Sequence, residues 1–335
     1  MTYTLAMPSK GAIYQPTRDF LKQSGLKVRK PNERQYVGSM PAIPNMNVLF
    51  QRVVDVVYKV VDGTAQIGIT GFDIVNEHPH EDIIVIYEGL GYGWCKLVVA
   101  VPEAWVDVTN IVDLAEVVLD FREHKGRNIR IATKYEHSTR EFLHKHGIHH
   151  FTLVKAEGAI EAAPTLGYAD LIVDLTQTGT TLRENHLKEI EGGTIVESEA
   201  CIIANKRALI AEPDLLDAVR VLTEHIDATI KGRDYYQVTV DVCGDDAETV
   251  AQQIASRDVT RGLLGPTISP IYNTNGTVDG QWYTVTLIVE EKKLLRAVEH
   301  VRSIGGRHVI ATPVRYIFLE HAPTFTKLLE KLELA

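Results

Sequence analysis

Three cysteines in 335 residues, none in a Cys-x-x-Cys pair, leave no material for a disulfide framework or a zinc site. Cys95, Cys201 and Cys243 read as reduced, buried thiols, the usual state of free cysteine. No apolar run approaches the ~20 residues that cross a bilayer, so no membrane span is predicted. The first ten residues show neither a charged stretch followed by an apolar one nor an Arg-rich leader, and a cytoplasmic protein is expected. Positive charge is in deficit: 35 Lys and Arg against 44 Asp and Glu give a net charge of −9. That excludes the broad basic surface on which non-specific nucleic-acid binding depends. Any phosphate site must therefore be built locally. Among the thirteen histidines, His137, His144, His146, His149 and His150 crowd a polar helix end without acidic partners at ligand spacing. They read as solvated surface residues, and no protein-held metal is expected.

A chain of this length holds at least two units with separate cores. Its first two-thirds alternate β-rich runs with amphipathic helices, the rhythm of an α/β fold with parallel strands. Strands are predicted at Gln66 to Thr70, Leu97 to Val101, Ile129 to Thr133, Leu171 to Asp174 and Thr194 to Ala204. Ser138 with Glu141 predicts a capping box, and Gly147 a helix stop. A long helix from Pro213 to Gly232 reads as a domain boundary. Beyond it the order becomes strand Tyr235 to Cys243, helix Asp245 to Ser256, strands Thr267 to Tyr272 and Trp282 to Val289, helix Glu290 to Ile304, and strand His308 to Phe318. This βαββαβ order is the ferredoxin-like plan. Asp245 followed by Glu248 predicts the cap of its first helix, and Asn275-Gly276 is a hairpin signal.

The segment richest in chemistry reads GAIEAAPTLGYADLIVDLTQTGTTLREN, from Gly158 to Asn185. An apolar strand ends at Asp174, and a Thr/Gly-rich turn leads into a polar helix. Such a turn leaves backbone N–H groups unpaired at a helix N-terminus, a phosphate cradle. Gly179 lets the backbone approach an anion, while Thr178, Thr180 and Thr181 add hydroxyl donors. Asp174 and Asp170 can accept hydrogen bonds from sugar hydroxyls. Phosphate donors beside hydroxyl acceptors suit a 5-phosphoribosyl group; the plain alternative is an N-cap with no ligand.

At several separate points the sequence resembles the ATP phosphoribosyltransferase family. The matching stretches are MPSKG (Met7 to Gly11), DGTAQIGITGFD (Asp62 to Asp73), GLGYGWCKLVVAVP (Gly89 to Pro102), RIATKY (Arg130 to Tyr135) and EAAPTLGYADLIVDLTQTGTTLRENHLKEI (Glu161 to Ile190). GPTISP (Gly265 to Pro270) and SIGGRHVIATPVRYIF (Ser303 to Phe318) look like the family's long-form regulatory tail. The resemblance implies a catalytic part, 1–232, of two lobes similar to periplasmic binding proteins (1–100 with 196–232, and 101–195). It implies an ACT-like regulatory domain over 233–335. The family's phosphate turn falls on Asp174 to Thr181, including Leu175. Lys10, Gly11, Arg52, Gly71, Asp73, Glu161 and Asp170 would line the cleft. Lys10 and Arg52 would offset polyphosphate charge. For these two a solvated surface role, for Gly71 a tight turn and for Asp73 a helix cap are the competing readings.

The implied reaction joins N1 of ATP to the anomeric carbon of phosphoribosyl pyrophosphate with release of pyrophosphate, the entry step of histidine biosynthesis. Mg2+ would ride mainly on the pyrophosphate. Histidine would inhibit at a site including Asp245, Leu263, Thr267 and His308, and a homo-oligomer between dimer and hexamer is expected. One departure stands out: the family has Arg after Lys-Gly in the first loop, and this chain has Ala12. Arg18, Arg52 or another residue must supply that charge, or affinity for one substrate is altered. A solute-binding module, a purine-salvage phosphoribosyltransferase and a catalytic subunit needing a separate regulatory partner are the rival readings. The missing leader, the single acid before the turn and the length beyond residue 230 count against them in turn.

Overall fold

The structure is a computed structural model and describes residues 2–32, 34–156, 158–272 and 280–334. The chain opens β1 (Tyr3–Pro8), α1 (Tyr14–Gln23), β2 (Val37–Ser39), β3 (Met46–Gln51), α2 (Val53–Val61), β4 (Ile67–Gly71), α3 (Phe72–Glu77) and β5 (Ile83–Tyr87). It continues β6 (Cys95–Pro102), α4 (Ile111–Glu123), β7 (Ile129–Thr133), α5 (Glu136–Lys145), β8 (Phe151–Lys155), β9 (Leu171–Thr176), α6 (Thr180–Glu184) and β10 (Leu187–Ser198). Then come β11 (Ala200–Asn205), α7 (Lys206–Ala211), α8 (Pro213–Arg233), β12 (Tyr235–Cys243), α9 (Ala247–Ala255), β13 (Thr267–Ile271), β14 (Trp282–Glu290), α10 (Leu294–Ser303), β15 (Arg307–Pro313) and α11 (Pro323–Lys331). Two compact units result. One takes the residues up to Lys22, Leu26–Val219 and those from Leu328 on; the other takes Gln23–Gly25 and Arg220–Lys327.

The first unit holds two mixed sheets, β2-β3-β1-β4-β11-β5 and β10-β6-β9-β7-β8. Leu97, Val98, Val99, Ala100 and Val101 are all buried, because helices cover both faces of the second sheet. Odd positions join Leu114, Val118 and Phe121 of α4, while Val98, Ala100 and Ile172 pack with Leu182 of α6. The strand expected from Thr194 to Ala204 is two strands. One extended segment cannot pair in two sheets, so the chain breaks at Glu199, β10 staying in the second sheet and β11 entering the first. Residues 88–94 make the other crossover, and the two run side by side: Leu90 N–H donates to the Ala200 carbonyl at 3.0 Å and Ala200 N–H to the Tyr92 carbonyl at 3.0 Å. Residues 95–100 and 196–198 therefore belong to the second sheet, not to the lobe expected to hold them.

Helix starts also differ from expectation. α5 begins before Ser138, which lies inside its first turn and donates to the carboxylate of Glu77. Asp246 caps α9 in place of Asp245, accepting from Thr249 N–H at 2.7 Å. Asn110 and Asp113 form a capping box on α4 that the sequence reading missed.

In the second unit the predicted βαββαβ order is present, as an antiparallel sheet β13-β14-β12-β15. Val238, Val240, Val242, Val285, Leu287 and Val289 form its buried face. The same alternation leaves Cys243 exposed, against the expectation of burial, while Cys201 is buried and Cys95 half-buried. Its last strand stops at Pro313 instead of Phe318. The Asn275-Gly276 signal lies outside the described residues.

Asp170 sits just before β9. It accepts from Arg127 Nη1 and Nη2 at 2.6 and 2.9 Å, from Arg130 N–H at 2.8 Å and from Arg130 Nη2 at 3.1 Å. Burial alone would push this carboxyl up; the two guanidinium groups outweigh it and hold the group well below the usual carboxylate range. It is a tie between the starts of β7 and β9. Asp170→Ala is expected to cost about 1–3 kcal/mol at neutral pH. A group with a depressed folded pKa stabilises above its unfolded value of about 3.9 and loses that contribution as pH falls. The deficit should therefore shrink below about pH 4, which urea denaturation at neutral and acidic pH would measure.

Candidate active site

The strand–turn–helix at the C-terminal end of β9 is where local sequence and geometry agree. Gly179 takes φ +71°, a left-handed conformation suited to glycine, and its N–H donates to Thr176 Oγ1 at 2.9 Å. Thr178 and Thr180 hydroxyls lie 2.9 Å apart, both exposed, and Arg183 Nη2 reaches Thr180 Oγ1 at 3.3 Å. Thr181 follows, exposed, in α6. α6 is five residues long, so a macrodipole contributes little here and the hydroxyls and turn N–H groups must carry anion binding. Leu175 N–H donates to Asp174 Oδ1 at 2.8 Å. Burial pushes the Asp174 carboxyl up, opposed by that hydrogen bond and by Lys134 and reinforced by the charge of Glu161. Glu161, half-buried on a short 3-10 turn, thus stands at this edge with Asp174.

At the C-terminal ends of β1 and β3, a cavity of about 350 Å³ is lined by Ser9, Lys10, Lys30, Arg34, Tyr36, Arg52 and Asp55, among others. Among the described residues that line it, four cationic side chains stand against one carboxylate, a local excess of positive charge in a chain of net charge −9. Lys10 and Arg52 were named from the sequence; Lys30 and Arg34 were missed. Their only sequence signal is the basic cluster VRK before Asn32 and Arg34 after it. Lys30 Nζ lies over the Phe50 ring, 4.6 Å from its centroid. Gly11 adopts φ +89° with open space where a Cβ would point.

Other named residues have different duties. Asp170 is not brought to the turn: it lies at the opposite end of β9, ~13 Å of strand from Asp174. Asp73 is buried, accepting from Tyr135 Oη at 2.8 Å and from Ser198 Oγ at 2.8 Å, and its N–H donates to Ser198 Oγ at 2.9 Å. It ties α3 to the second sheet and offers a substrate little. Burial first, then the Asp73 charge, pushes the Tyr135 phenol far above its ordinary value, and the same two causes raise the Cys95 thiol to about 11. Gly71 leaves the room that the Asp73 carboxylate occupies.

The four effector positions do not converge. Thr267 opens β13 at one edge of the second unit's sheet, Leu263 precedes that strand by four residues, and His308 belongs to β15 at the opposite edge. Two strands intervene, ~14 Å in all. His308 takes φ +52° and pairs through Nδ1 with Asp241 Oδ2 at 3.1 Å. Asp245 is exposed beyond the end of β12.

A family model for ATP phosphoribosyltransferase matches residues 52–232, and a second, for the C-terminal domain of HisG, matches 233–316. ATP phosphoribosyltransferase 2, chloroplastic, of Arabidopsis thaliana is 40% identical over 98% of this chain and 80% of its own length. ATP phosphoribosyltransferase of Bradyrhizobium diazoefficiens is 32% identical over 97% of each. Among solved structures, an ATP phosphoribosyl transferase (HisG:HisZ) complex from Thermotoga maritima is 25% identical, with a TM-score of 0.53 over 68% of this chain and 98% of that one. The chain belongs to the ATP phosphoribosyltransferase family, whose enzymes are pentosyltransferases of histidine biosynthesis.

Proposed function

We propose that the chain carries out its family's reaction by gripping phosphoribosyl pyrophosphate at the Asp174–Thr181 turn and drawing polyphosphate charge into the pocket of Lys10, Lys30, Arg34 and Arg52. What carries the proposal is the turn at Gly179, a buried glycine at φ +71° with the exposed Thr178 and Thr180 hydroxyls 2.9 Å apart at its rim. Such a turn surrounds a 5-phosphate with fixed donors, while Asp174 accepts from ribose hydroxyls. Lys30 and Arg34 provide the positive charge that Ala12 withholds from the first loop. Displacement at the anomeric carbon needs no protein nucleophile, so the chain's work is to align two anionic substrates and neutralise the departing pyrophosphate. Mg2+ enters as the counter-ion of that pyrophosphate. Among the described residues no three His, Cys, Asp or Glu side chains stand together as a metal site.

The two sheets of the first unit act as the lobes of a periplasmic-binding-protein-like catalytic part. The second unit, of ferredoxin-like strand order, acts as an ACT-like domain responding to histidine in a homo-oligomer. With the named effector positions on opposite edges, Leu263 and Thr267 form one candidate contact and His308 with Asp245 another. The cytoplasmic compartment remains a reading of the sequence; two plant relatives are named chloroplastic.

Gly179→Val must hold a β-branched residue at φ +71°, at a local cost of about 1–2 kcal/mol. Its Cβ would also meet Arg183 Nη1 at 3.0 Å and Glu189 Oε1 at 3.2 Å. Both Gly179→Val and Thr178→Ala are expected to raise KM for phosphoribosyl pyrophosphate, by about tenfold for a lost contact to a charged group. Initial rates of phosphoribosyl-ATP formation measure this, and unchanged constants would dismiss the turn as the phosphate site. Millimolar histidine is expected to lower the same rate; insensitivity would remove the regulatory half.

A further inference from the structure

Glu77 ends α3 of the first sheet's lobe, buried, with its carboxylate aimed at the other lobe. Oε1 accepts from His137 N–H at 2.9 Å; Oε2 accepts from Ser138 N–H at 3.0 Å and from Ser138 Oγ at 2.8 Å. Asn76 Nδ2 donates to the same Ser138 Oγ at 3.1 Å. These backbone donors are the orphans of the first turn of α5, whose own N-cap, Tyr135, makes no side-chain cap. A carboxylate borrowed from another lobe therefore caps this helix, where its negative charge also meets the positive end of the helix.

Capping of α5 has a consequence upstream. The segment between β7 and α5 is Lys134-Tyr135 alone, held at one side by the β7 ladder and at the other by Glu77. β7 and β9 are parallel neighbours in the register Thr133 to Val173, so the next residues, Lys134 and Asp174, emerge together at the same sheet edge. Lys134 is exposed there, and its charge acts on the Asp174 carboxyl. Asp174 opens the turn that ends in Gly179.

We infer that Lys134 is a further substrate-binding cation at the phosphate turn, and that Glu77 is its positioning residue, acting across the lobe junction through the α5 cap. The inference rests on the proposed role of that turn. An ammonium at the strand edge beside Asp174 contacts the anionic face of a bound phosphoribosyl pyrophosphate and offsets the charge of Asp174 and Glu161 against it. Without Glu77 the first-turn donors of α5 lose their acceptor, and Lys134 loses the anchor that aims it.

The test is a double-mutant cycle on the full chain, read as KM for phosphoribosyl pyrophosphate and kcat separately. Lys134→Met is expected to raise that KM by about tenfold with kcat moving less. Glu77→Ala should raise it comparably, and the double variant should be no worse than the larger single. Multiplying effects would mean that Glu77 acts without Lys134, and an unchanged KM in Lys134→Met would dismiss that residue as a ligand; either result overturns the inference. Glu77→Gln keeps one acceptor oxygen and should recover part of the affinity, which keeps the cycle readable where Glu77→Ala fails to fold. Thr178→Ala run alongside separates the two levels. A raised KM in Thr178→Ala with a normal one in Lys134→Met sinks this inference alone, whereas normal values in both sink the turn itself.

Discussion

Two short crossovers and the buried carboxylates of α3 join the two sheets of the first unit, and both candidate substrate edges depend on that join. Asp73 binds Tyr135 and Ser198, one at the head of α5 and one at the end of β10. Glu77, one turn further on, takes the first donors of α5. Each is a buried acceptor satisfied by hydrogen bonds from the second sheet's elements, so removing either leaves polar groups without partners in a dry place, a cost of about 1–3 kcal/mol per group. Asp73, which the motifs suggest as a cleft residue, is here a buried tie between the two sheets' elements.

Charge is arranged with comparable economy. The chain carries an excess of acid, yet Lys10, Lys30, Arg34 and Arg52 surround one cavity at the ends of β1 and β3. These come from three separate stretches of sequence, and only the fold brings them together. On the proposed function, that gathering would supply the charge that Ala12 withholds from the first loop. At the second edge the donors are short threonine hydroxyls and a glycine turn, groups that offer an anion fixed geometry more than net charge.

How much of this was readable in advance follows from the range of the interactions. The turn at Thr176 to Thr181 is local. A buried strand, an acid, a glycine held at φ +71° and flanking threonines lie within a dozen residues, so their order alone announces the shape. The βαββαβ order of the second unit was readable for the same reason, since alternation of Val238, Val240 and Val242 is a local period. Asp170 was misread because the residues that claim it, Arg127 and Arg130, lie some forty positions away and meet it through strand pairing. Ser138 looked like a cap until Glu77, sixty-one positions away, took that place. The effector positions were assembled from separate motifs, and the order β13-β14-β12-β15 put them on opposite edges.

The sequence by itself determined the glycine turn after β9, the two styles of α/β and β-rich construction, and, through collinear motifs, the family and its reaction. Tertiary structure alone decided where the chain changes sheets, which acids are buried as ties between elements, and how four scattered cations meet in one cavity. Local order in a chain dictates backbone shape through sterics and short hydrogen bonds. The duty of a charged side chain is set by its partners, and long-range pairing chooses those partners.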